Sequence, residues 1–361
     1  MKLFKCQACG NAVYFENAAC VVCRHRLGFA PDLGVMSALT PEGAGDLAQV
    51  SALADPSRAY RLCENADACG CNWLVAVADE NAFCLCCRHN RTVPNLTAPN
   101  NREAWAKIER AKRQLFYSLL RWRLPLPTRS EDSARGLVFD LLADGAQKVL
   151  TGHEEGLITL NIAEADDAER ESRRIAMAEP YRTLLGHLRH EIGHYYWDRL
   201  VRDEGRQESF RVLFGDERED YDAALQRHHA NGAPADWANA FISAYATSHP
   251  FEDFAETWAH YMHIVDTLET ANAFGLSVQP KDAEDDQLRI DVVFDPYRDG
   301  AIDDIVGAWT PVTVALNSLS RSLGQPDVYP FVLSKPVIDK LGFIHDLARE
   351  VASRGLERKA A

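Results

Sequence analysis

Residues 184–197 read LLGHLRHEIGHYYW, a stretch with helical periodicity and several ionisable side chains. Its apolar residues recur every three to four positions, which predicts a buried helix; they are Leu184, Leu188, Ile192, Tyr195 and Tyr196. On this helix His190 and His194 would lie one turn apart on one face, where both imidazoles can bind one metal ion, with Glu191 beside them. Gly193 would leave room for a neighbouring element.

The spacing His190-Glu191-x-x-His194 is the signature of zinc-dependent hydrolases. Two neutral imidazoles hold Zn²⁺ without cancelling its charge, so the ion can still acidify water and polarise a carbonyl group. Glu191 would then accept a proton from that water. A catalytic zinc site also needs a third protein ligand and an open coordination position. The sequence that follows the helix should supply this ligand.

A second buried helix is predicted from Pro250 onward, because proline is tolerated in a first helical turn. Aromatic residues follow at helical spacing, at Phe251, Phe254, Trp258 and Tyr261. Glu252 and Glu256 fall on one face, and an acidic pair in an apolar helix is costly unless it is neutralised. We therefore predict Glu252 as the third ligand and Glu256 as the acceptor of a ligand histidine's spare ring N–H. The competing third ligands are His249, His260 and His263.

These two helices resemble the gluzincin branch of zinc peptidases, in which the third ligand is a Glu on a later helix. They are similar in particular to the lethal-factor-type peptidases, whose Glu-x-x-Ala-Glu helix follows a Tyr seven residues before the ligand Glu. Here Tyr245 stands seven residues before Glu252, and the helix carries Ala255 and Glu256 at the matching positions. The resemblance implies that Tyr245 donates a hydrogen bond to the oxyanion in the transition state.

All ten cysteines fall between Cys6 and Cys87. Two C-x-x-C knuckles have the spacing of a compact zinc ribbon, which predicts a structural zinc ion, with iron as an alternative, on Cys6, Cys9, Cys20 and Cys23. The second group is less regular, and we assign its ligands as Cys63, Cys71, Cys84 and Cys87. Cys69 is an alternative to Cys63 or Cys71, and Cys69 and Cys86 would otherwise be spare thiols.

Composition limits the classes of function. The chain has 361 residues and 47% hydrophobic content, enough for a sizeable core and two domains. A formal net charge of −14 argues against nucleic acid and against an anionic membrane surface as partners. The N-terminus lacks the apolar core of a signal peptide, and no run of about 18 apolar residues could span a bilayer, so we expect a cytoplasmic protein.

The remaining segments give a coarse order of elements. Residues 30–58, rich in Ala, Gly, Pro and Asp, read as a loop or linker. Residues 102–124 read as an amphipathic helix whose Arg and Lys face solvent, ended by Pro125 and Pro127. Strands are expected at 136–142 and 156–162, with a turn at 152–156, and helices at 302–323 and 336–352.

Together these segments predict an α+β chain with tandem zinc ribbons over residues 1–95, a connecting helix over 96–127 and a mainly helical zincin-like metallopeptidase domain with a small sheet over 128–361. The order of the cysteine clusters, the two motif helices and the C-terminal segment Tyr329-Pro330-Phe331-Val332-Leu333 resembles a bacterial family of zinc-binding metallopeptidases with an N-terminal zinc ribbon. The resemblance to such peptidases also implies that the strand at 157–162 pairs with an extended substrate backbone.

The expected function is zinc-dependent hydrolysis of a peptide or protein substrate, with one catalytic and one or two structural zinc ions. The ribbons would be structural or would recruit a protein. One alternative is an adaptor whose ribbons bind protein or nucleic acid and whose peptidase-like domain has little activity. Another keeps the metal site but hydrolyses a non-peptide amide or ester.

Overall fold

The computed structural model describes residues 2–41, 49–145, 147–176, 182–281 and 286–360. The chain divides into two compact units. The first unit comprises Met1–Leu120 with Leu126–Asp167, and the second comprises Arg121–Pro125 with Ala168–Ala361. The α+β fold class is confirmed, with the strands concentrated in the first unit and long helices in the second. Among the described residues, no helix is both long enough and apolar enough to cross a membrane.

The first unit is built mainly from short strands. They are β1 (Phe4–Lys5), β2 (Ala12–Val13), β3 (Leu27–Ala30), β4 (Val35–Pro41), β5 (Val50–Ala52), β6 (Asp55–Leu62), β7 (Leu74–Ala76), β8 (Asn90–Thr92), β9 (Val138–Leu142), β10 (Gly152–Glu154) and β11 (Leu157–Asn161). Two helices accompany them, α1 (Ala66–Cys69) and α2 (Asn101–Arg121), the second of which ends at the boundary between the units.

A five-stranded antiparallel sheet corrects the prediction that residues 30–58 form a linker. Strands β3 to β7 pair in chain order, and β4, β5 and the first half of β6 come from the supposed linker; residues 42–48 of that segment lie outside the described residues. One face packs into a cluster of buried side chains, namely Ala30, Leu39, Val50, Ala52, Tyr60 and Leu74. Two of these six residues are alanines, and a segment rich in Ala and Gly reads as a loop because both residues have low strand propensity.

The second sheet of this unit has the order β10-β11-β9-β8, with β11 parallel to β9 and antiparallel to β10. The predicted turn at 152–156 is shorter than expected, because residues 152–154 form strand β10. Only Glu155 and Gly156 form the turn, both at positive φ (44° and 82°), as in a tight two-residue hairpin. Strand β11 is paired on both sides, so the idea that it offers a free edge to substrate is wrong; β10 is the outer strand.

Helix α2 is amphipathic as predicted. The prediction that all of its Arg and Lys side chains face solvent is wrong for two of them. Lys112 is fully buried and Arg113 is 3% exposed. Lys112 Nζ donates to Glu109 Oε1 at 2.9 Å within the same helix. A buried cation is tolerated when it is paired in this way, and a periodic pattern does not reveal such a pair.

The second unit is mainly helical. Its elements are α3 (Asp167–Ala176), α4 (Leu184–Trp197), α5 (Gln207–Phe214), α6 (Tyr221–Asn231), α7 (Pro250–Ala273), β12 (Ser277–Val278), β13 (Ile290–Asp291), α8 (Ile302–Ser322) and α9 (Lys335–Ala360). Helices α8 and α9 confirm the two predicted C-terminal helices. A short π-helical turn, Asp198–Arg202, continues α4.

The predicted motif helices, α4 and α7, pack closely against each other. Gly193 makes this possible, since a Cβ atom built on it would lie 2.9 Å from the Ala255 Cα atom and 3.2 Å from the Trp258 Cβ atom. The Tyr196 and Trp258 rings stack with centroids 5.1 Å apart. This contact brings the polar face of α4 against the first turn of α7.

Candidate metal centre

Helix α4 presents the histidines as predicted from their spacing. Thr183 caps the helix, its hydroxyl accepting from the Gly186 backbone N–H at 2.9 Å. The Nε2 atoms of His190 and His194 face each other 3.1 Å apart. Side-chain exposure is 10% for His190 and 17% for His194, so the pair is not sealed from solvent.

Helix α7 delivers Glu252 to this pair. Its N-cap is His249, whose Nδ1 atom accepts from the Phe251 N–H at 3.1 Å, and Pro250 occupies the first turn. Glu252 Oε2 lies 3.0 Å from His190 Nε2, and Glu252 Oε1 lies 3.5 Å from His194 Nε2. One donor atom from each of the three residues lies within 4.8 Å of the others. The structure thus brings together the three predicted ligands.

The polar atoms of this cluster suit a cation. His190 Nδ1 donates to Glu256 Oε1 at 2.7 Å, which leaves the lone pair of Nε2 directed toward the centre. Glu252 Oε2 is buried and has no hydrogen-bond partner in the described part of the chain. Burial opposes a charged imidazolium, yet Glu252 and Glu256 raise the pKa of His190 well above its usual range. The carboxylates therefore favour positive charge here, and a divalent metal ion on two imidazoles and a carboxylate supplies it.

Glu256 occupies the supporting position predicted for it. Ser243, which sequence reasoning missed, donates to its second oxygen, Oε2, at 2.6 Å. Burial alone would raise the pKa of Glu256, but hydrogen bonding and the charge of His190 lower it to about 2. A carboxylate held at both oxygens fixes the orientation of the His190 ring.

The competing third ligands bind elsewhere. Both nitrogens of His249 are used, Nδ1 in the helix cap and Nε2 in a 3.2 Å bond to the Glu219 carbonyl oxygen. His260 Nδ1 lies 2.8 Å from the Tyr329 hydroxyl, and His263 Nδ1 lies 2.7 Å from Arg189 Nη1. None of the three joins the cluster that His190, His194 and Glu252 form.

Glu191 is 4% exposed and lies beside the ligand pair. His187 Nε2 is 3.4 Å from its Oε1 atom, whereas Oε2 is buried without a hydrogen-bond partner among the described residues. Burial would raise the pKa of Glu191, but the hydrogen bond from His187 and the charges of the neighbouring histidines lower it. His187 was missed, although its spacing of three and four residues from His190 and Glu191 already places it on their face.

Two tyrosines border the cluster. Tyr245 opens a short 3₁₀ turn, Tyr245–Thr247, and its ring centroid is 6.0 Å from that of His190. Burial and the nearby carboxylates raise the pKa of Tyr245, so its hydroxyl stays protonated. Tyr221, at the start of α6, was not anticipated, and its hydroxyl donates to Glu252 Oε1 at 2.6 Å. Nothing in the sequence around Tyr221 indicated this contact.

The cysteines gather into the two predicted groups of four. In the first group Cys6 and Cys23 have Sγ atoms 3.5 Å apart, and those of Cys9 and Cys20 are 3.7 Å apart. Its two knuckle turns are closed by Gly10 and Arg24, both at positive φ, whose N–H groups donate to the carbonyls of the first cysteines. Each C-x-x-C sequence therefore forms a local turn that presents two thiols on the same side.

The second group consists of Cys63, Cys71, Cys84 and Cys87, all buried. Cys71 Sγ lies 3.7 Å from the Sγ atoms of both Cys84 and Cys87. Cys69 and Cys86 stand outside the group, and all ten cysteines are free of disulfides. The buried cations Lys112 and Arg113 act electrostatically on these thiols. Together they offset part of the negative charge that four thiolates around a metal ion would carry, Lys112 less than Arg113 because Lys112 is already paired with Glu109.

Comparison with known proteins agrees with this arrangement. A model of a family described as "putative zinc-binding metallo-peptidase" matches residues 101–347, and a zinc-ribbon domain model matches residues 3–98. An uncharacterized protein of Mycobacterium bovis and two of Mycobacterium tuberculosis are each 41% identical over 353 residues, which cover 98% of this chain and 96% of each relative. No solved structure matches. The chain therefore belongs to this family of zinc-binding metallopeptidases, with a zinc-ribbon region at its N-terminus.

Proposed function

We propose that this chain is a zinc-dependent peptidase whose catalytic ion is held by His190, His194 and Glu252. One observation carries the proposal: the Glu252 carboxylate, from a separate helix, lies 3.0 Å and 3.5 Å from the two imidazole Nε2 atoms. Three protein donors leave a coordination position open, which distinguishes catalytic from structural zinc sites. The family membership supports the same reading.

Zinc bound there would supply Lewis-acid chemistry, acidifying water and polarising the carbonyl group of the scissile bond. Glu191 is the general base of the proposal. Its lowered pKa keeps it a carboxylate at neutral pH, despite its burial. It accepts the proton of the attacking water and then donates that proton to the leaving amine. The unpartnered Oε2 atom of Glu191 is available for this exchange.

Tyr245 supplies the hydrogen bond to the carbonyl oxygen as negative charge develops on it. Its ring lies beside His190, and its hydroxyl forms no hydrogen bond with a described residue. A raised pKa keeps the hydroxyl as a donor. The ring contact between Tyr245 and His228, with centroids 6.0 Å apart, helps to hold the ring at the border of the site.

The two cysteine groups are proposed as structural zinc sites. Each offers four thiol donors, which complete a tetrahedral shell and leave no open position. They hold short strands and turns together in a region where the individual elements are only two to eight residues long. The same reasoning makes them poor candidates for catalysis.

The experiment compares the intact wild-type chain with Glu191→Gln, using metal analysis and mass spectrometry of a mixed peptide library. Glu191→Gln should retain its zinc and lose turnover by a factor of about 10² to 10⁴, as expected for removal of a general base. Glu208→Gln, an exposed residue of α5 in the same unit, is the matched control and should behave as wild type. Equal turnover in wild type and Glu191→Gln would contradict the proposal.

A further inference from the structure

Tyr221 is a residue of the metal centre that sequence reasoning did not identify. It is the first residue of α6, and Asp220 caps this helix by accepting from the Ala223 N–H at 2.9 Å. Tyr221 is 38% exposed, yet its hydroxyl reaches inward and donates to Glu252 Oε1 at 2.6 Å. An exposed ring whose hydroxyl makes a part-buried hydrogen bond to a carboxylate is an arrangement that packing alone does not require.

The position of the Tyr221 ring is fixed by His249. The two rings meet edge to face, with centroids 5.1 Å apart. His249 itself bridges the start of α7, through its bond from Phe251, to the segment before α6, through the Glu219 carbonyl. Burial lowers the pKa of His249, so the ring is neutral and each nitrogen has one role. The helix that carries Tyr221 is therefore tied directly to the helix that carries Glu252.

The two oxygens of the Glu252 carboxylate have different environments. Oε1 accepts the Tyr221 hydroxyl, whereas Oε2 is buried, lies 3.0 Å from His190 Nε2 and has no hydrogen-bond partner in the described part of the chain. A carboxylate can bind zinc through one oxygen or through both. A donor held on Oε1 favours binding through Oε2 alone, because Oε1 then shares its electron density with the phenol.

We propose that Tyr221 is a positioning residue that makes Glu252 a one-oxygen ligand, and that it thereby keeps the metal four-coordinate, with its fourth position left to water or substrate. The inference rests on the proposed function, since it assumes that His190, His194 and Glu252 hold the metal. Partners of this kind typically contribute a factor of 10 to 100 in metal affinity. Tyr221 thus acts through Glu252, in contrast to Tyr245, which faces the reacting carbonyl.

Metal retention tests the proposal without any need for a substrate. The intact chain should hold three zinc ions, one for each donor group, and a graded chelator titration followed by metal analysis resolves the least tightly held one. Tyr221→Phe, which removes only the hydroxyl, should release the ion of the His190 centre at a 10- to 100-fold lower chelator concentration. The ions on the two cysteine groups should be retained as in wild type.

Tyr245→Phe is the matched control, because it removes a hydroxyl at the same centre that makes no hydrogen bond to Glu252. It should release its zinc at the wild-type chelator concentration.

A second readout reports the coordination itself: Co²⁺ is placed in the His190 centre while zinc remains in the cysteine groups. Tyr221→Phe should weaken the visible absorption of Co²⁺, because a second carboxylate oxygen converts four-coordinate into five-coordinate metal. A loss of packing would not produce this change.

Wild-type metal retention and an unchanged Co²⁺ spectrum in Tyr221→Phe would overturn the role of Tyr221. Failure of the underlying proposal has a different signature. If the underlying proposal is right, Glu252→Ala loses the zinc of this centre. A Glu252→Ala chain that still holds three zinc ions would show that the centre itself is assigned wrongly. The two failures are therefore distinguishable in one set of titrations.

Discussion

The cysteine groups and the His190 centre differ in how the chain assembles them. In the cysteine groups the donors come from knuckles close in sequence, as in Cys6 and Cys23, which are 17 residues apart, and Cys71 and Cys87, which are 16 apart. In the His190 centre the carboxylate that orients the imidazole comes from 66 residues away. Local turns build the first kind of site, whereas the packing of α4 against α7 builds the second.

The two kinds of site also differ in closure. The cysteine groups present four donors each, and the second group is fully buried. The His190 centre presents three donors, with partly exposed imidazoles and an adjacent unpartnered Glu191 oxygen. A closed shell suits a structural ion, and an open shell suits chemistry. The comparison predicts that damage to the first should cost folding and that damage to the second should cost function.

The largest effect is expected from Cys71→Ser. Removing one thiolate should release the ion of that group and unfold the strands around it, because structural zinc contributes about 10 kcal/mol to the folding of small zinc modules. Hydrogen exchange of the first unit is the measurement. Cys86 is an equally buried thiol outside the group, so the control variant Cys86→Ala should keep the ion. Release of the metal by this control would contradict the assignment of the four ligands.

Tyr245→Phe should leave all metal ions in place and lower kcat by about 100-fold or more, as for other single donors to a developing oxyanion. Steady-state kinetics on a cleaved peptide is the measurement, with KM little changed. Tyr329→Phe removes a tyrosine hydroxyl bonded to His260 in the same unit, and it should retain kcat. A similar fall in kcat for both variants would mean that the effect is structural.

Gly193→Ala tests whether helix packing builds the His190 centre. The added Cβ would lie 2.9 Å from the Ala255 backbone, and forcing the helices apart should cost about 1 to 3 kcal/mol of stability. Zinc should be lost from the His190 centre and retained by the cysteine groups. Gly307→Ala, where an added Cβ meets nothing within 4 Å on α8, is the control and should be neutral or stabilising.

The smallest expected effect is on the pH dependence of stability, and it comes from His260, whose buried imidazole is uncharged at pH 7 in the folded protein. Burial, with the charge of His190, lowers its pKa to about 4 in spite of the opposing effect of Glu256. The unfolded histidine titrates near 6.5, so stability is complete above pH 6.5 and is lost as pH falls toward 4. Between pH 7 and 5.5 this loss is about 1 kcal/mol.

Urea unfolding of zinc-loaded wild type and His260→Gln at the two pH values measures this effect. The variant should show a pH dependence smaller by about 1 kcal/mol. The groups that face His260 are Glu256, His190, His263 and Tyr329, and they are the same in both proteins. Identical pH dependence in the two proteins would show that His260 is not a buried neutral group.

Motifs with chemically demanding spacing were predictable from sequence. His190, His194 and Glu252 meet as expected, and the two groups of four cysteines form with the ligands assigned to them. The histidine pair follows from helical spacing and the C-x-x-C pairs follow from knuckle geometry, both of which depend on neighbouring residues. The packing role of Gly193 was predictable for the same reason. Glu252 was predictable for another reason, because an acidic pair in an apolar helix needs a cation.

Contacts that depend on tertiary structure were not predictable. Tyr221 and Ser243 reach the centre from segments without a recognisable pattern. Lys112 and Arg113 looked like solvated charges because neither the pairing of Lys112 with Glu109 nor the burial of Arg113 has a periodic signal. Residues 30–58 looked like a linker because a sheet built on small side chains differs little from a loop in composition.

Anomalous scattering at the zinc absorption edge, from crystals of the intact chain, locates each zinc ion and its ligand atoms independently of any activity assay. Three peaks are expected: one in each cysteine group and a third within bonding distance of His190 Nε2, His194 Nε2 and a single oxygen of Glu252. Two peaks confined to the cysteine groups, with the Glu252 carboxylate turned away from the imidazoles in zinc-saturated crystals, would contradict the assignment of the third site.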